Sequence, residues 1–163
     1  MTVARAVAAL LTVGAALLTG CAAPAADAQP ALAFTAATVA GGRFDGTGLS
    51  GRPAVLWFWA PWCTVCRAES PAVREVAAEF DGQVDVIGVA GRGPVADMTA
   101  FVEDTGTGGL THLADVDGDV WSRFGILAQP SFAFVSPDGG TEVFAGSLAA
   151  DDLRAAVLEL IGS

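Results

Sequence analysis

The feature that most constrains the fold is an unbroken apolar hexapeptide, AVLWFW, at residues 54–59. A strand with one face in water alternates apolar and polar residues, whereas a strand covered on both faces can be apolar throughout. This hexapeptide therefore predicts the central strand of a sheet that has other elements packed on both sides. Cys63 and Cys66 follow it almost immediately, in the sequence PWCTVC. Their spacing leaves three roles open: a structural disulfide, a metal clamp or a redox couple.

The order of the predicted elements indicates an α/β domain. In chain order they are a hairpin at 34–44, the strand 54–59, a helix over about 63–80, a strand at 84–89, a helix over 94–105, a hairpin of strands 131–135 and 141–145, and a closing helix. The closing helix is predicted because Leu153, Val157 and Leu160 share one helical face. This order predicts a central mixed β-sheet with helices on both faces and an N-terminal β-hairpin extension.

The amino terminus predicts export. Arg5 precedes a continuous apolar run at positions 6–18. This run is shorter than the roughly 20 residues that a membrane-spanning helix needs, and it is typical of a signal peptide. The sequence LTGC, which ends at Cys21, resembles the lipobox of bacterial lipoproteins, in which the cysteine carries the lipid. The alternative is cleavage after Ala28, which would release a secreted protein without Cys21.

These features divide the chain into three segments. Residues 1–20 are predicted to form a lipoprotein-type signal peptide, and residues 21–31 a flexible tether without periodicity. Residues 32–163 are predicted to form a single domain, because the chain is long enough for one hydrophobic core and too short for two.

The charge distribution argues against nucleic acid as a partner. The formal net charge is −10, and the eight basic residues are all arginine. A chain without a basic patch has little to offer a phosphate backbone or an anionic membrane surface. We therefore expect contact with the membrane only through a lipid anchor on Cys21.

The position of the cysteine pair favours the redox role. A disulfide across two intervening residues closes a very small loop, and its entropic stabilisation of roughly 2 kcal/mol is low for a structural disulfide. At a helix start, free backbone N–H groups and the positive end of the helix dipole stabilise a thiolate on Cys63. The thiolate is the attacking species in disulfide exchange, and Cys66 can attack the mixed disulfide that results. The residues thus favour a redox-active Cys63–Cys66 disulfide, with no other cofactor.

The motif around the cysteines also resembles that of a known family. The sequence WAPWCTVC, followed by Glu69 and Pro71, is similar to the active-site motif of the thioredoxin-like TlpA/DsbE family of extracytoplasmic thiol–disulfide oxidoreductases. The resemblance runs from Leu32 to Ile161 and includes DVDGDVWSRFGILAQPSFAFVSPDGG and GSLAADDLRAAVLEL. It implies a thioredoxin-like fold and activity as a thiol:disulfide oxidoreductase.

The family pattern implies a role for each site residue. Cys63 is the implied nucleophile and Cys66 the resolving thiol. Pro130 is implied to be a cis-proline that packs against the cysteine pair and, with Gln129, lines the groove for an extended substrate segment. Trp62 flanks the nucleophile, and we expect its side chain to be exposed and to contact substrate.

Two positions depart from related patterns. Trp57 stands where thioredoxin itself carries a buried aspartate, so proton exchange with Cys66 needs another group. Glu69 is a candidate proton shuttle within this family, although a solvated helix residue is the plainer interpretation of its position. The dipeptide Thr64-Val65 between the cysteines matches neither the reducing nor the strongly oxidising relatives, which leaves the direction of electron flow open.

Two other chemistries fit the sequence less well. A copper- or zinc-carrying module would use both thiolates, but its further ligands would have to include His112, which is expected in a solvated loop, or a methionine such as Met98. We therefore assign no metal site. A peroxidase of the peroxiredoxin type would have threonine or serine three residues before the reactive cysteine, where this chain has Ala60.

These observations predict an extracytoplasmic enzyme that exchanges disulfides with exported proteins. It is expected on the bacterial cell membrane through a lipid anchor or, alternatively, as a secreted protein. Because exported proteins work in an oxidising setting, disulfide formation is the favoured direction. A dedicated reductant, for example of the cytochrome c maturation type, is the alternative. Either direction requires a membrane redox partner that restores the working state of the cysteine pair.

Overall fold

The computed structural model describes residues 30–162. The predicted signal peptide, Cys21 and the alternative cleavage site at Ala28 lie outside the described residues. The elements in chain order are β1 Thr35–Ala37, β2 Arg43–Asp45, a 3₁₀ turn Gly46–Leu49, β3 Ala54–Trp59, α1 Thr64–Glu79, β4 Asp85–Gly91, α2 Val95–Thr105, β5 Thr111–Asp115, α3 Asp119–Arg123, β6 Ser131–Val135, β7 Thr141–Ala145 and α4 Ala150–Gly162. Among these helices, none has the length and apolar character that a membrane crossing requires.

The five longer strands form one mixed sheet in the order β5-β4-β3-β6-β7. The central strand β3 is parallel to β4 and antiparallel to β6, while β5 extends the parallel half and β7 the antiparallel half. Strands β1 and β2 pair separately as an antiparallel hairpin. The α/β class, the mixed sheet and the N-terminal hairpin are therefore confirmed.

Strand β3 is buried because both faces of the sheet are covered. Successive side chains of a strand point to opposite faces. Trp57 and Trp59 pack into a cluster with residues of α1, α2 and α4, whereas Leu56 and Phe58 pack into a second cluster with α3. Burial of each such side chain contributes about 1.5–3 kcal/mol. The central strand is thus anchored in the core on both faces, and residues 60–63, the cysteine turn, connect its end to α1.

Helix α1 runs through Pro71 without losing its hydrogen bonding at that point. Proline has no N–H, so the carbonyl of Arg67 loses its usual partner four residues later. The hydroxyl of Ser70 donates to this carbonyl instead, at 2.8 Å. The predicted helix over 63–80 is therefore continuous, with its boundaries at Thr64 and Glu79.

The prediction of a solvated loop histidine at position 112 is wrong. His112 lies in β5 and is 4% exposed. The indole N–H of Trp59 donates to its Nδ1 (3.2 Å), and its Nε2 lies 3.0 Å from the carbonyl oxygen of Thr107. Because Nδ1 accepts, Nε2 carries the proton and the ring is neutral. Burial lowers the pKa of His112, opposed in part by the hydrogen bond to the Thr107 carbonyl.

Space for this histidine depends on Gly88. The sheet register pairs Gly88 with Trp57 on one side and with His112 on the other. A Cβ atom at position 88 would lie against Nδ1 of His112 and 2.9 Å from the indole nitrogen of Trp59. Glycine is therefore required here by the close approach of two buried rings.

We predict that Gly88→Ala lowers the free energy of unfolding by about 2–3 kcal/mol, because overpacking is combined with loss of a buried hydrogen bond. Urea unfolding of the oxidised protein, followed by tryptophan fluorescence, measures the change. Gly48→Ala is the matched control, since no atom lies within 4 Å of a Cβ at that position. Equal stability of the two variants would contradict the packing described for Gly88.

Candidate active site

Cys63 and Cys66 form a disulfide at the point where α1 begins, with their Cα atoms 5.3 Å apart. Cys63 is the N-cap residue of α1, and its Sγ accepts a hydrogen bond from the backbone N–H of Cys66 at 3.0 Å. Cys63 is 6% exposed and Cys66 is completely buried. The predicted position of the pair, between a buried strand and a helix N-terminus, is thus the observed one.

This geometry stabilises negative charge on the Cys63 sulfur. A helix N-terminus presents backbone N–H groups that have no partner within the helix, together with the positive end of the helix dipole. The N–H of Cys66 already points at the sulfur. When the disulfide is reduced, the same N–H can hold a thiolate, which is the nucleophile and the good leaving group of disulfide exchange.

Pro130 lies beside the strand that leads into this turn. The Gln129–Pro130 peptide bond is cis, as the family resemblance implies. The β3–β6 register pairs Phe58 with Ser131, so the next residue along each strand places Pro130 opposite Trp59. Pro130 is buried. The Oε1 atom of Gln129 is also buried, and it has no hydrogen-bond partner within the described residues.

Trp62 is exposed at the rim of the site, as predicted. Its side chain is 60% exposed, and its indole N–H donates to the backbone carbonyl of Arg92 at 2.9 Å. The guanidinium of Arg92 in turn donates to the carbonyl of Leu127, at 2.7 Å. No sequence motif indicates a role for Arg92. Its position between Gly91 and Gly93 is the one local sign of a loop with unusual backbone geometry.

Glu69 is buried, so its interpretation as a solvated helix residue is wrong. It is 5% exposed, and its Oε1 accepts a hydrogen bond of 2.7 Å from the indole N–H of Trp57. Its Oε2 accepts from the backbone N–H of Leu148 at 3.3 Å. Burial raises the pKa of the Glu69 carboxyl, and hydrogen bonds from Ser147, Trp57 and Leu148 oppose this rise.

The buried Glu69 compensates for the absence of a carboxylate at position 57, where thioredoxin carries a buried aspartate. The carboxylate that thioredoxin carries on the strand is here carried by the helix, and the strand residue Trp57 donates a hydrogen bond to it. Residues three apart on a helix are neighbours on its surface, so Glu69 lies one turn beyond Cys66. A titratable group is therefore available inside the core, one helical turn from Cys66.

No metal-binding group is formed by the part of the chain that the structure describes. There, no three side chains among histidine, cysteine, aspartate and glutamate lie close enough together to hold an ion.

Comparison with known proteins places these features in a family. The soluble secreted antigen MPT53 of Mycobacterium tuberculosis is 44% identical over 115 residues, which are 71% of this chain and 65% of that protein. The chain thus spans just under two thirds of the length of this relative.

Two solved structures are similar over almost their whole length. The structure of MTB dsbF in its mixed oxidized and reduced forms is 45% identical, with a TM-score of 0.78, and the match covers 80% of this chain and 97% of that one. The crystal structure of a secreted Mycobacterium tuberculosis disulfide oxidoreductase homologous to E. coli DsbE is 40% identical, with a TM-score of 0.75, and the match covers 80% and 98%.

These likenesses confirm the thioredoxin-like fold and the resemblance to the TlpA/DsbE family that the sequence motifs imply. The model of the AhpC/TSA family matches residues 28–142, which is well over half of the chain. The chain therefore belongs to the AhpC/TSA family, as a thioredoxin-like member related to the DsbE- and dsbF-type proteins.

Proposed function

We propose that this protein is an extracytoplasmic thiol–disulfide oxidoreductase that forms disulfides in exported proteins through Cys63 and Cys66. The observation that carries the proposal is the hydrogen bond from the N–H of Cys66 to Sγ of Cys63 at the start of α1. An interaction that stabilises the thiolate stabilises the reduced protein, and a stabilised reduced form makes a dithiol pair a stronger oxidant. The secreted disulfide oxidoreductase among the relatives supports the same activity and location.

The exchange proceeds in two steps at Cys63. A substrate thiolate attacks Sγ of Cys63, the bond to Cys66 breaks, and Cys66 departs as a thiolate with the electron pair. A second substrate thiolate then attacks the substrate sulfur of the mixed disulfide and releases Cys63 as a thiolate. The substrate gains a disulfide, and the cysteine pair takes up two electrons, which a membrane redox partner must remove. No resident cofactor is needed for either step.

The substrate reaches the pair along the surface next to Pro130, Gln129 and Trp62. Cys63 is the accessible sulfur, because Cys66 is fully buried. The buried Oε1 of Gln129 lacks a partner among the described residues, and a backbone N–H of a bound substrate would supply one. Trp62, which directly precedes Cys63, presents an exposed aromatic surface. An extended segment of an exported protein fits these three features.

Glu69 supplies the proton that the buried thiolate of Cys66 requires. Because Cys66 is 0% exposed, bulk water does not reach its sulfur directly. The pKa of Glu69 is raised, first by burial, so this carboxyl keeps its proton to a higher pH than an exposed glutamate does. A protonated carboxyl one helical turn away can donate to Cys66 as it departs and recover the proton when the disulfide reforms.

Cys21 is the proposed site of the lipid anchor. It follows the apolar run of the signal directly, and the other two cysteines of the chain are paired with each other. We predict that protein from the membrane fraction begins at Cys21 and carries the added mass of a lipid, and that Cys21→Ala moves it to the medium. Intact-mass spectrometry checks this. A lipid-free product that begins after Ala28 would contradict the anchor and support secretion.

The roles of the two cysteines predict opposite phenotypes. Cys63→Ser should abolish exchange with a reduced substrate protein, because no accessible sulfur remains. Cys66→Ser, given the same substrate in its disulfide form, should accumulate a mixed disulfide, because the Cys63 thiolate attacks and releases one substrate thiolate and no Cys66 thiol is present to break the new bond. Non-reducing electrophoresis with mass mapping of the linked peptides measures both outcomes. Exchange at full rate by Cys63→Ser, or a mixed disulfide on Cys66 instead, would contradict the assignment.

Glu69→Gln keeps the acceptor for the indole of Trp57 but removes the proton. We predict that it slows the single-turnover reduction of the disulfide by about a hundredfold, the lower end of the range of general acid catalysis. Glu103→Gln, at an exposed position of α2, is the matched control and should react at the wild-type rate.

The same substitution predicts a change in the pH dependence of stability. A raised pKa means that native Glu69 holds its proton to higher pH than the unfolded chain does, so the free energy of unfolding falls as pH rises from about 4.5 through the native pKa. Glu69→Gln should lack this fall, as measured by urea unfolding across that range. An unchanged slope together with an unchanged rate would show that Glu69 is not the proton donor.

A further inference from the structure

Arg92 occupies the most unusual backbone position of the described chain. Its φ of 58° is the one positive value there outside glycine. L-residues with a side chain pay a steric penalty in this left-handed region, which glycine avoids. An arginine held in this conformation indicates that its side chain and its backbone are both fixed by contacts.

The segment Gly91–Gly93, which contains Arg92, packs between the cysteine turn and α3. A Cβ atom at Gly93 would lie 2.6 Å from Cγ of Pro61, which precedes Trp62 in the cysteine turn. A Cβ atom at Gly91 would lie 2.7 Å from the indole of Trp121 in α3. Glycine is therefore needed at both positions, because the backbone of this segment packs closely against Pro61 on one side and Trp121 on the other.

Arg92 itself forms hydrogen bonds to the cysteine turn and to the loop that contains Leu127. Its carbonyl oxygen accepts the indole N–H of Trp62 at 2.9 Å, and its guanidinium donates to the carbonyl of Leu127 at 2.7 Å. The guanidinium carbon also lies 4.8 Å from the ring centroid of Trp121, over its face. Leu127 belongs to the loop that leads to the cis peptide bond at Gln129. One residue thus joins the cysteine turn to the loop of the cis-proline.

The ring of Trp121, which lies beneath the Arg92 guanidinium, is held by hydrogen bonds of its own. The backbone N–H of Trp121 donates to the buried carboxylate of Asp115 at 2.8 Å, and its indole N–H donates to the carbonyl of Val89 at 3.2 Å. Within residues 30–162, no carboxylate lies at ion-pair distance from Arg92, so this aromatic face and the Leu127 carbonyl are what hold its guanidinium.

The two residues that Arg92 binds, Trp62 through its indole and Leu127 through its backbone carbonyl, both have apolar and exposed side chains. Trp62 is 60% exposed and Leu127 is 87% exposed, and Val65, between the cysteines, is 49% exposed. Large apolar side chains on a protein surface are significant when they group at one place. Here Trp62 directly precedes Cys63, Val65 lies between the two cysteines, and Leu127 is connected to Trp62 through Arg92.

We propose that Arg92 is a positioning residue that holds Trp62 and Leu127 apart as two apolar walls, and that these walls select substrate segments with an apolar side chain beside the reacting cysteine. This proposal rests on the proposed function, and it adds a substrate preference and the residue that maintains it. Unfolded exported chains expose such segments, whereas small thiols have no side chain to place between the walls.

The test compares two dithiol peptides that differ in one residue, leucine or serine, next to the first cysteine. The single-turnover reduction of the Cys63–Cys66 disulfide, followed by tryptophan fluorescence, gives a half-saturating concentration and a maximal rate for each peptide. Dithiothreitol provides the reaction without a side chain. The wild-type protein should bind the leucine peptide more tightly than the serine peptide.

Arg92→Gly relieves the backbone strain and keeps the carbonyl that binds Trp62, but it removes the guanidinium. We expect a rise of about tenfold in the half-saturating concentration of the leucine peptide, the factor that corresponds to 1.4 kcal/mol. The maximal rate and the dithiothreitol rate should stay within about twofold of the wild type, because the chemistry at Cys63 is untouched. Arg43→Gln, in the N-terminal hairpin, is the matched control.

Leu127→Ser keeps the test decisive if Arg92→Gly destabilises the loop. Leu127 is almost fully exposed, so its replacement leaves the core intact, and it should abolish the preference for leucine over serine. Wild-type affinity and preference in both variants would overturn the proposal and leave the proposed function standing. Failure of the wild-type protein to react with dithiothreitol and with either peptide would instead overturn the proposed function itself.

Discussion

The contact between the Cys63 sulfur and the first turn of α1 is the constraint on which the rest of the structure depends. The sulfur can stay against the N–H of Cys66 only if the strand before it and the helix after it are both fixed. The strand is fixed because β3 is buried on both faces, and the helix is fixed because Val73 and Val76 lie in the same core cluster as Trp57. The short turn between two anchored elements then holds the reactive atom in place, as preorganised catalysis requires.

The core beneath the cysteines contains two buried titratable side chains, and each is hydrogen-bonded to a tryptophan. The two tryptophans that β3 points toward α1 each donate their indole N–H to a buried titratable group, Trp57 to Glu69 and Trp59 to His112. Burial shifts the pKa of Glu69 upward and that of His112 downward, so both shifts favour the neutral form. Burial therefore opposes the charged form of both groups beneath the sulfurs, whereas the N-terminus of α1 contacts the Cys63 sulfur directly through the N–H of Cys66.

Much of this arrangement can be predicted from the sequence because it follows local patterns. The apolar run of β3, the helical spacing that follows it and the cysteine spacing together place the redox pair at a strand-to-helix junction. The cis bond before Pro130 follows from the family resemblance alone. Strand β5 could not be predicted, because its sequence THLAD has no apolar run, and the indole of Trp59 that binds the buried His112 lies 53 residues away in the sequence.

Distant partners also explain why the burial of Glu69 and the role of Arg92 could not be predicted. A charged residue on a helix is usually exposed, and nothing near Glu69 in the sequence indicates the indole that makes its burial possible. Arg92 lies 30 residues from Trp62 and 35 from Leu127, so its contacts exist only in the folded chain. Pairings between residues that are distant in the sequence are thus the part of the site that required the structure.

The reduction potential of the Cys63–Cys66 couple tests the central claim most directly. Equilibration of the purified domain with glutathione buffers, followed by tryptophan fluorescence, measures it in one titration. If the helix N-terminus stabilises the thiolate and the protein forms disulfides, the potential should lie near about −120 to −180 mV, the range of oxidising exchange proteins. A potential near about −270 mV or below would contradict this direction and would identify the protein as a reductant that must receive electrons.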